Sequence, residues 1–228
     1  MRAVTDDRVI RRALLEALPL IVPAIPFGLV LGLAITESGI GNLVGWSSAP
    51  IVYAGAAQLT LVTLLGGGAA WVAAVAAALV VNLRHAMYSA ALAPTFQQQP
   101  RWFRLLAPYG LIDQMFVLAM LRKDEDPADF RRYYLAAGTA FAIFWSAAVG
   151  LGLLVGPVVP EQWHLEFAIP VMFAGVLVIG LDERPKAVAA VVAGAVAVAG
   201  AGLPSKSGLL LGATCGVLAG VLADRGRR

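Results

Sequence analysis

From residue 14 to residue 223 the chain is a succession of apolar runs, each near the length that crosses a bilayer, separated by short stretches of charge, glycine or proline. A hydrocarbon layer of about 30 Å takes about 20 mostly apolar residues in helical form. A water-soluble domain has no use for several such runs in 228 residues. The expected fold class is all-α: a polytopic transmembrane helix bundle, read as one integral membrane domain over 1–228. Composition agrees, with 60% hydrophobic and 14% charged residues and the charges gathered between the runs.

The runs give eight candidate spans, at 14–36, 48–66, 69–93, 105–121, 133–156, 166–182, 186–203 and 207–223. The fourth is short and carries Asp113, so a seven-span reading has to be weighed against it. Positive charge separates the two, because lysine and arginine gather in cytoplasmic loops. With eight spans and the N-terminus inside, Arg2, Arg8, Arg11, Arg12, Arg122, Lys123, Arg131, Arg132, Arg184, Lys186, Arg225, Arg227 and Arg228 are all cytoplasmic. Only Arg101, Arg104 and Lys206 fall outside. Seven spans with the same start put everything from Arg101 to Arg132 outside, together with the later cations. Eight spans, with both termini cytoplasmic, is the better reading, and it sets Asp113 in the membrane.

The net charge of +3 is too small to suggest a nucleic-acid partner. Cys215, alone in an apolar run, excludes an internal disulfide and a cysteine-based metal cluster, and reads as packing. Arg8, Arg11 and Arg12 ahead of Leu14–Leu33 resemble a signal peptide, but Glu16, Pro19, Pro23 and Pro26 interrupt the apolar stretch. An uncleaved first span is expected. Pro23 and Pro26 each free a carbonyl one turn earlier, which turns that helix toward the protein interior or a wet cavity. Runs such as Ala73–Ala78 and Ala187 to Gly202 offer the small-residue faces that pack helices closely in lipid.

Two segments echo one another at a spacing of 120 residues: Pro50-Ile51-Val52-Tyr53-Ala54-Gly55 and Pro170-Val171-Met172-Phe173-Ala174-Gly175. The same spacing aligns Leu31-Gly32-Leu33 with Leu151-Gly152-Leu153. Repeat halves at 14–94 and 133–214, joined by 95–132 and sharing one orientation, would account for it, as would the chance self-likeness of glycine- and alanine-rich sequence.

Polar groups inside apolar runs point to function. The third run carries Asn82-Leu83-Arg84-His85-Ala86-Met87-Tyr88-Ser89, with Arg84 about 5 Å from the middle of the span. A charge there costs roughly 2.5 to 3.5 kcal/mol on insertion scales, so Arg84 needs a partner. Helical spacing puts Arg84 with Tyr88, and His85 with Asn82 and Ser89, on adjoining faces. The stripe fits a solute or proton path, or else an orienting anchor, with Arg84 snorkelling or locked to Asp113. His85 titrates near neutral pH and Arg84 does not, so His85 and Asp113 are the candidates for any coupled proton. Gln58 offers donors and acceptors without charge, and reads equally as a contact for a polar solute or as an interhelical clamp. Thr60 and Thr63 bond their own helix. Glu161, His164 and Glu166 read as a solvated rim.

Signatures of hydrolases, zinc proteases and ATP-driven pumps are missing: no Gly-x-Ser-x-Gly, no His-Glu-x-x-His and no Gly-x-x-x-x-Gly-Lys occurs. Movement of a small solute is the expected role, without enzyme activity, cofactor or metal. An intramembrane enzyme using His85 and Asp113 as acid and base is the alternative, and it needs a nucleophile or metal that the sequence does not supply. A structural scaffold, its polar stripe docking a partner helix, is the other.

Ala54-Gly55-Ala56-Ala57-Gln58, Asn82-Leu83-Arg84-His85 with Tyr88-Ser89, and Asp113-Gln114 together resemble the AzlC family, the large subunit of branched-chain amino-acid exporters. The likeness covers most of the chain, and the Asn-Leu-Arg-His-x-x-Tyr-Ser stretch is its most specific part. It implies export of valine, leucine or isoleucine across a bacterial inner membrane, driven by the proton gradient, with a small AzlD-type hydrophobic membrane subunit as partner. An amino acid needs a site for its carboxylate, one for its ammonium and an apolar pocket. Arg84 or the start of a broken helix suits the first, Asp113, Gln58 or freed carbonyls the second, and surrounding valine, leucine and phenylalanine the third. Arg84 and Asp113 could equally pair in one state and part in another, as a gate.

Overall fold

A computed structural model describes residues 2–155, 174, 177–178, 181, 183–202 and 207–225. It divides into two compact units, Met1–Val176 and Leu177–Arg228, each taken here by itself. All regular structure among the described residues is helical.

The first unit is built on three helices long and apolar enough to cross a membrane: Asp7–Ser38, Trp71–Gln97 and Pro127–Val155. They lie in α1 (Arg2–Ser38), in the pair α4 (Trp71–Val81) and α5 (Arg84–Gln97), and in α8 (Pro127–Val155). Helices α1 and α8 run parallel, since their contacts advance together from Phe27 on Trp145 to Gly32 on Gly152. Glycine makes the approach possible. A Cβ on Gly28 would lie 2.6 Å from Ala148 Cβ, and one on Gly32 would collide with backbone of Val149, Gly152 and Leu153. Small residues at such crossings let backbones touch where no hydrophobic effect drives association. Gly32 and Gly152, aligned by the 120-residue spacing, thus meet face to face. Of the other echoing pair, Pro170 to Phe173 and Gly175 lie outside the described residues.

Between these crossings the chain differs from the eight-span expectation. The second run, 48–66, is two half-helices, α2 (Asn42–Val52) and α3 (Gly55–Gly66), of 11 and 12 residues. At 1.5 Å per residue each reaches about half of the hydrocarbon layer. Gly45 of α2 packs on Ile35, and Gly66 at the far end of α3 packs on Ser38, so both ends return to the same end of α1. The segment is a re-entrant hairpin, and a hydropathy window cannot distinguish it from a span because it does not register reversal. Its tip is Tyr53, whose φ of 44° is left-handed, followed by extended Ala54. A bulky residue there is strained and persists only where its surroundings hold it. The Tyr53 hydroxyl donates to the Gly138 carbonyl at 3.3 Å, and its ring stacks on Tyr109 at 5.2 Å.

The fourth run, 105–121, reverses likewise. It comprises α6 (Arg101–Leu106), a 3-10 turn (Ala107–Gly110) and α7 (Asp113–Arg122). At one end Gln99 Nε2 donates to the Pro127 carbonyl at 2.9 Å, and Arg131 donates to Gln99 Oε1 at 2.9 Å. At the other, Arg122 binds Glu16 of α1. Both ends of this hairpin therefore lie at the Arg12 end of the unit, and Arg101 and Arg104 share that end with Arg122. The expectation that placed them on the opposite side from Arg122 is corrected. Removing two crossings at once preserves the direction of α8, which is why the charge argument could not detect the error.

In the second unit, α9 (Arg184–Ala199) and α10 (Ser207–Arg225) form an antiparallel pair. Gly208, Gly212, Gly216 and Gly220, four residues apart, face Gly200, Ala193 with Ala197, Ala189 with Ala193, and Ala189 in turn. Cys215 is half-buried on α10. The sixth run, apart from isolated positions, and Glu161, His164 and Glu166 lie outside the described residues.

Candidate functional site

Irregular backbone at membrane depth survives only where protein buries it or where it lines a cavity. Here three breaks converge on one cavity. Tyr53, Ala54, Gly55 and Ala56 come from the first hairpin tip; Ile112, Asp113 and Gln114 from the second; Arg84 and His85 from the α4–α5 break. The proline-bearing middle of α1 and an aromatic face of α8, Phe141, Phe144 and Trp145, complete the wall of a cavity of about 40 Å³.

The first residues of α3 and α7 both face the cavity, and neither helix start has a side-chain cap. Uncapped starts leave N–H groups unbonded and carry the positive end of the helix dipole, a ready anion site. Arg84 Nη1 lies 3.0 Å from Asp113 Oδ2, and the Tyr88 hydroxyl donates to Asp113 Oδ1 at 2.7 Å. Asp113 at the first turn of α7 gains from the same dipole. Arg84 Nε and His85 Nε2 are buried and have no hydrogen-bond partner. Donor capacity therefore remains beside the cavity after the ion pair has formed. Tyr88 also stacks on Phe116 at 4.3 Å, which fixes the phenol against α7.

The sequence-derived site thus divides. Arg84, Tyr88 and Asp113 come together as one bonded cluster, with His85 in the cavity wall. The helix break puts Asn82 at the C-cap of α4, outside the wall, and Ser89 is half-buried beyond it. Gln58 is fully buried behind the wall: it donates to Ser48 Oγ at 2.7 Å and accepts from Trp145 Nε1 at 3.2 Å. It clamps α2, α3 and α8 and fixes the indole that faces the cavity. The apolar wall, with Phe27 edge-on to Trp145, was not singled out from sequence. Single aromatics in apolar runs carry no signal until the cavity is known.

Broken helices around an apolar-walled cavity that holds an ion pair are the arrangement found in membrane transporters. More narrowly, the chain belongs to the AzlC family, described as AzlC protein, whose model matches residues 19–159. The match takes in both hairpins, Trp71–Gln97, Pro127–Val155 and the part of α1 from residue 19 onward. Over 203 residues the chain is 25% identical to an uncharacterized membrane protein of Archaeoglobus fulgidus, covering 87% of this chain and 88% of that one. Over 220 residues it is 28% identical to the inner membrane protein YgaZ of Escherichia coli K12, covering 91% and 87%. No solved structure matches the chain.

Proposed function

We propose that the protein is the large subunit of a secondary transporter that exports valine, leucine and isoleucine across the inner membrane, coupled to protons and assembled with a small AzlD-type membrane subunit. One observation carries the reading: a carboxylate–guanidinium pair and two uncapped helix starts share a cavity with an aromatic wall. A zwitterion with an apolar side chain matches each part. Its carboxylate goes to Arg84 and the helix starts, its ammonium to Asp113, and its side chain to Phe27, Phe141, Phe144 and Trp145. Swapping partners in this way keeps every buried charge compensated through the cycle. His85 and Asp113 are the groups for the coupled proton.

Three crossings and two hairpins support an N-terminus in the cytoplasm. Of the lysines and arginines in 2–155, all but Arg84 then lie on the Arg12 side, with none at the Ser38 end. The test is efflux of labelled valine from preloaded cells co-expressing the chain and its small partner. Native protein is expected to export, and Arg84→Ala and Asp113→Asn to abolish export at unchanged membrane levels. No efflux of any branched-chain amino acid from native protein would sink the proposal.

A further inference from the structure

A second cluster of charge lies away from the cavity, at the Arg12 end of the first unit. Arg12 Nη2 binds Glu125 Oε2 at 2.6 Å, Glu125 Oε1 binds Arg122 at 3.3 Å, and Arg122 also grips Glu16 through two nitrogens. The Tyr133 hydroxyl donates to Glu16 Oε2 at 2.7 Å. Both guanidiniums sit over the Tyr133 ring, at 5.6 and 5.8 Å. Nothing in their spacing joins these residues, which are scattered over α1, the end of α7, the turn after it and α8.

Those helices are the ones that line the cavity further in. Along α1 the step from Glu16 to Ile21 is about 8 Å, and along α7 the step from Arg122 back to Asp113 is about 14 Å. The charges therefore lie on the Arg12 side of the cavity, one to three turns away. Their signs alternate and cancel, and their side chains are 25–38% exposed, so water can take up each charge when the pairs part. At the other end of the unit the hairpin returns through close contacts of Gly45 with Ile35 and of Gly66 with Ser38.

We infer that Arg12, Glu16, Arg122 and Glu125 form the inner gate of the transport path, and that the α6–α7 hairpin is the part that swings when the ring opens. This rests on the transporter reading above. Opening would expose the Asp113 end of α7 to the cytoplasm while the α2–α3 hairpin stays in place. The hinge falls at 123–126, the turn that carries Glu125 and leads into α8, where Asp126 Oδ1 accepts from the Ala128 N–H at 2.8 Å and holds that helix start.

Access can be read without knowing the substrate. Cys215 is the only cysteine, so a Cys215→Ser background with Ala24→Cys puts one thiol in the cavity wall. A membrane-impermeant maleimide is applied to inside-out and to right-side-out vesicles, with folding checked by membrane level and gel filtration. Glu16→Gln is expected to speed labelling about fivefold from the inner side only, the size of a partly exposed ion pair. Glu125→Gln, which alters neither α1 nor α8, is expected to act in the same direction. Unchanged labelling in folded Glu16→Gln and Glu125→Gln, or acceleration from the outer side, would overturn the gate and leave the site untouched. A thiol unreachable from both sides in every variant would overturn the gate and the transporter reading together.

Discussion

The two hairpins meet at their tips, Tyr53 on Tyr109, but are anchored by different physics. The α2–α3 hairpin is wedged in at its glycines, whose bare backbone meets neighbouring side chains directly. Gly45 is pressed on Ile35 and Gly55 on Phe27 and Trp145, Gln58 is bonded on both sides, and Trp46 Nε1 donates to the Ser146 carbonyl at 3.0 Å. The α6–α7 hairpin is held by side chains. Phe103 packs among Phe96, Phe130 and Tyr134, the Tyr134 hydroxyl donates to the Ala107 carbonyl at 2.7 Å, and the return limb ends on ion pairs. Its one glycine, Gly110, meets Tyr134 only at 3.8 Å. A glycine backbone pressed on its neighbour has no rotamer of its own to change, whereas side-chain contacts and partly exposed charges can adopt two arrangements. The molecule thus pairs a fixed half-barrier with one able to move.

The sharpest way to break this comparison is to add the same bulk to each hairpin. Gly45→Ala drives its Cβ into fully buried Ile35, which overpacks the wedge by about 3 kcal/mol. Monodisperse protein after detergent extraction is expected to be largely lost. Gly110→Ala is expected to leave yield and melting temperature within about 0.5 kcal/mol of native. Equal losses from the two would show that both hairpins are wedged alike.

Gln58→Leu removes the clamp while keeping the volume. It leaves the Trp145 N–H buried without its acceptor, at about 1–3 kcal/mol. At roughly 2–4 °C per kcal/mol for a chain this long, a drop of several degrees in melting temperature is expected. An unchanged melting temperature would mean that the wedge stands without its polar core. Hydrogen–deuterium exchange compares the hairpins directly. Amides of α7 are expected to exchange about tenfold faster than those of α3, since mobile elements are drawn from the low-stability end. Slower exchange in α7 would reverse which hairpin moves.

How much of this was legible beforehand depends on the range of the signal. Membrane class and helical content follow from run length, and Arg84 with Asp113 stood out because each is an anomaly in its own run. Tyr88 joined them by helical spacing alone. The hairpins were hidden because reversal at Tyr53 and at Leu111–Ile112 depends on contacts with distant Gly138, Pro50 and Tyr134. Local markers existed: Pro50 followed by Ala54-Gly55, and Gly66-Gly67-Gly68 where the first hairpin leaves. Proline and glycine also occur in α1, which crosses unbroken, so composition could not decide. Glu16 and Arg122, 106 residues apart, each look like ordinary charge at a helix end until the fold joins them.

The smallest expected effect probes the point where the fixed and mobile halves touch. The Tyr109 hydroxyl donates to the Pro50 carbonyl, in the last turn of α2, which the helix break leaves without a helical donor. Tyr109→Phe keeps the stack on Tyr53 and removes only that bond. Tyr109 is exposed, so the loss in stability should stay below about 1 kcal/mol. If the second hairpin swings away from the first, the bond breaks in every cycle, and deleting it favours the parted state alone. Labelling of Ala24→Cys from the inner side should rise about twofold while the melting temperature barely moves, a free-energy change well inside what one such bond supplies. Gln58→Leu should do the reverse, lowering the melting temperature without opening the inner side. A fall in stability with no gain in labelling for Tyr109→Phe would mean that the tips stay joined and that the path opens elsewhere.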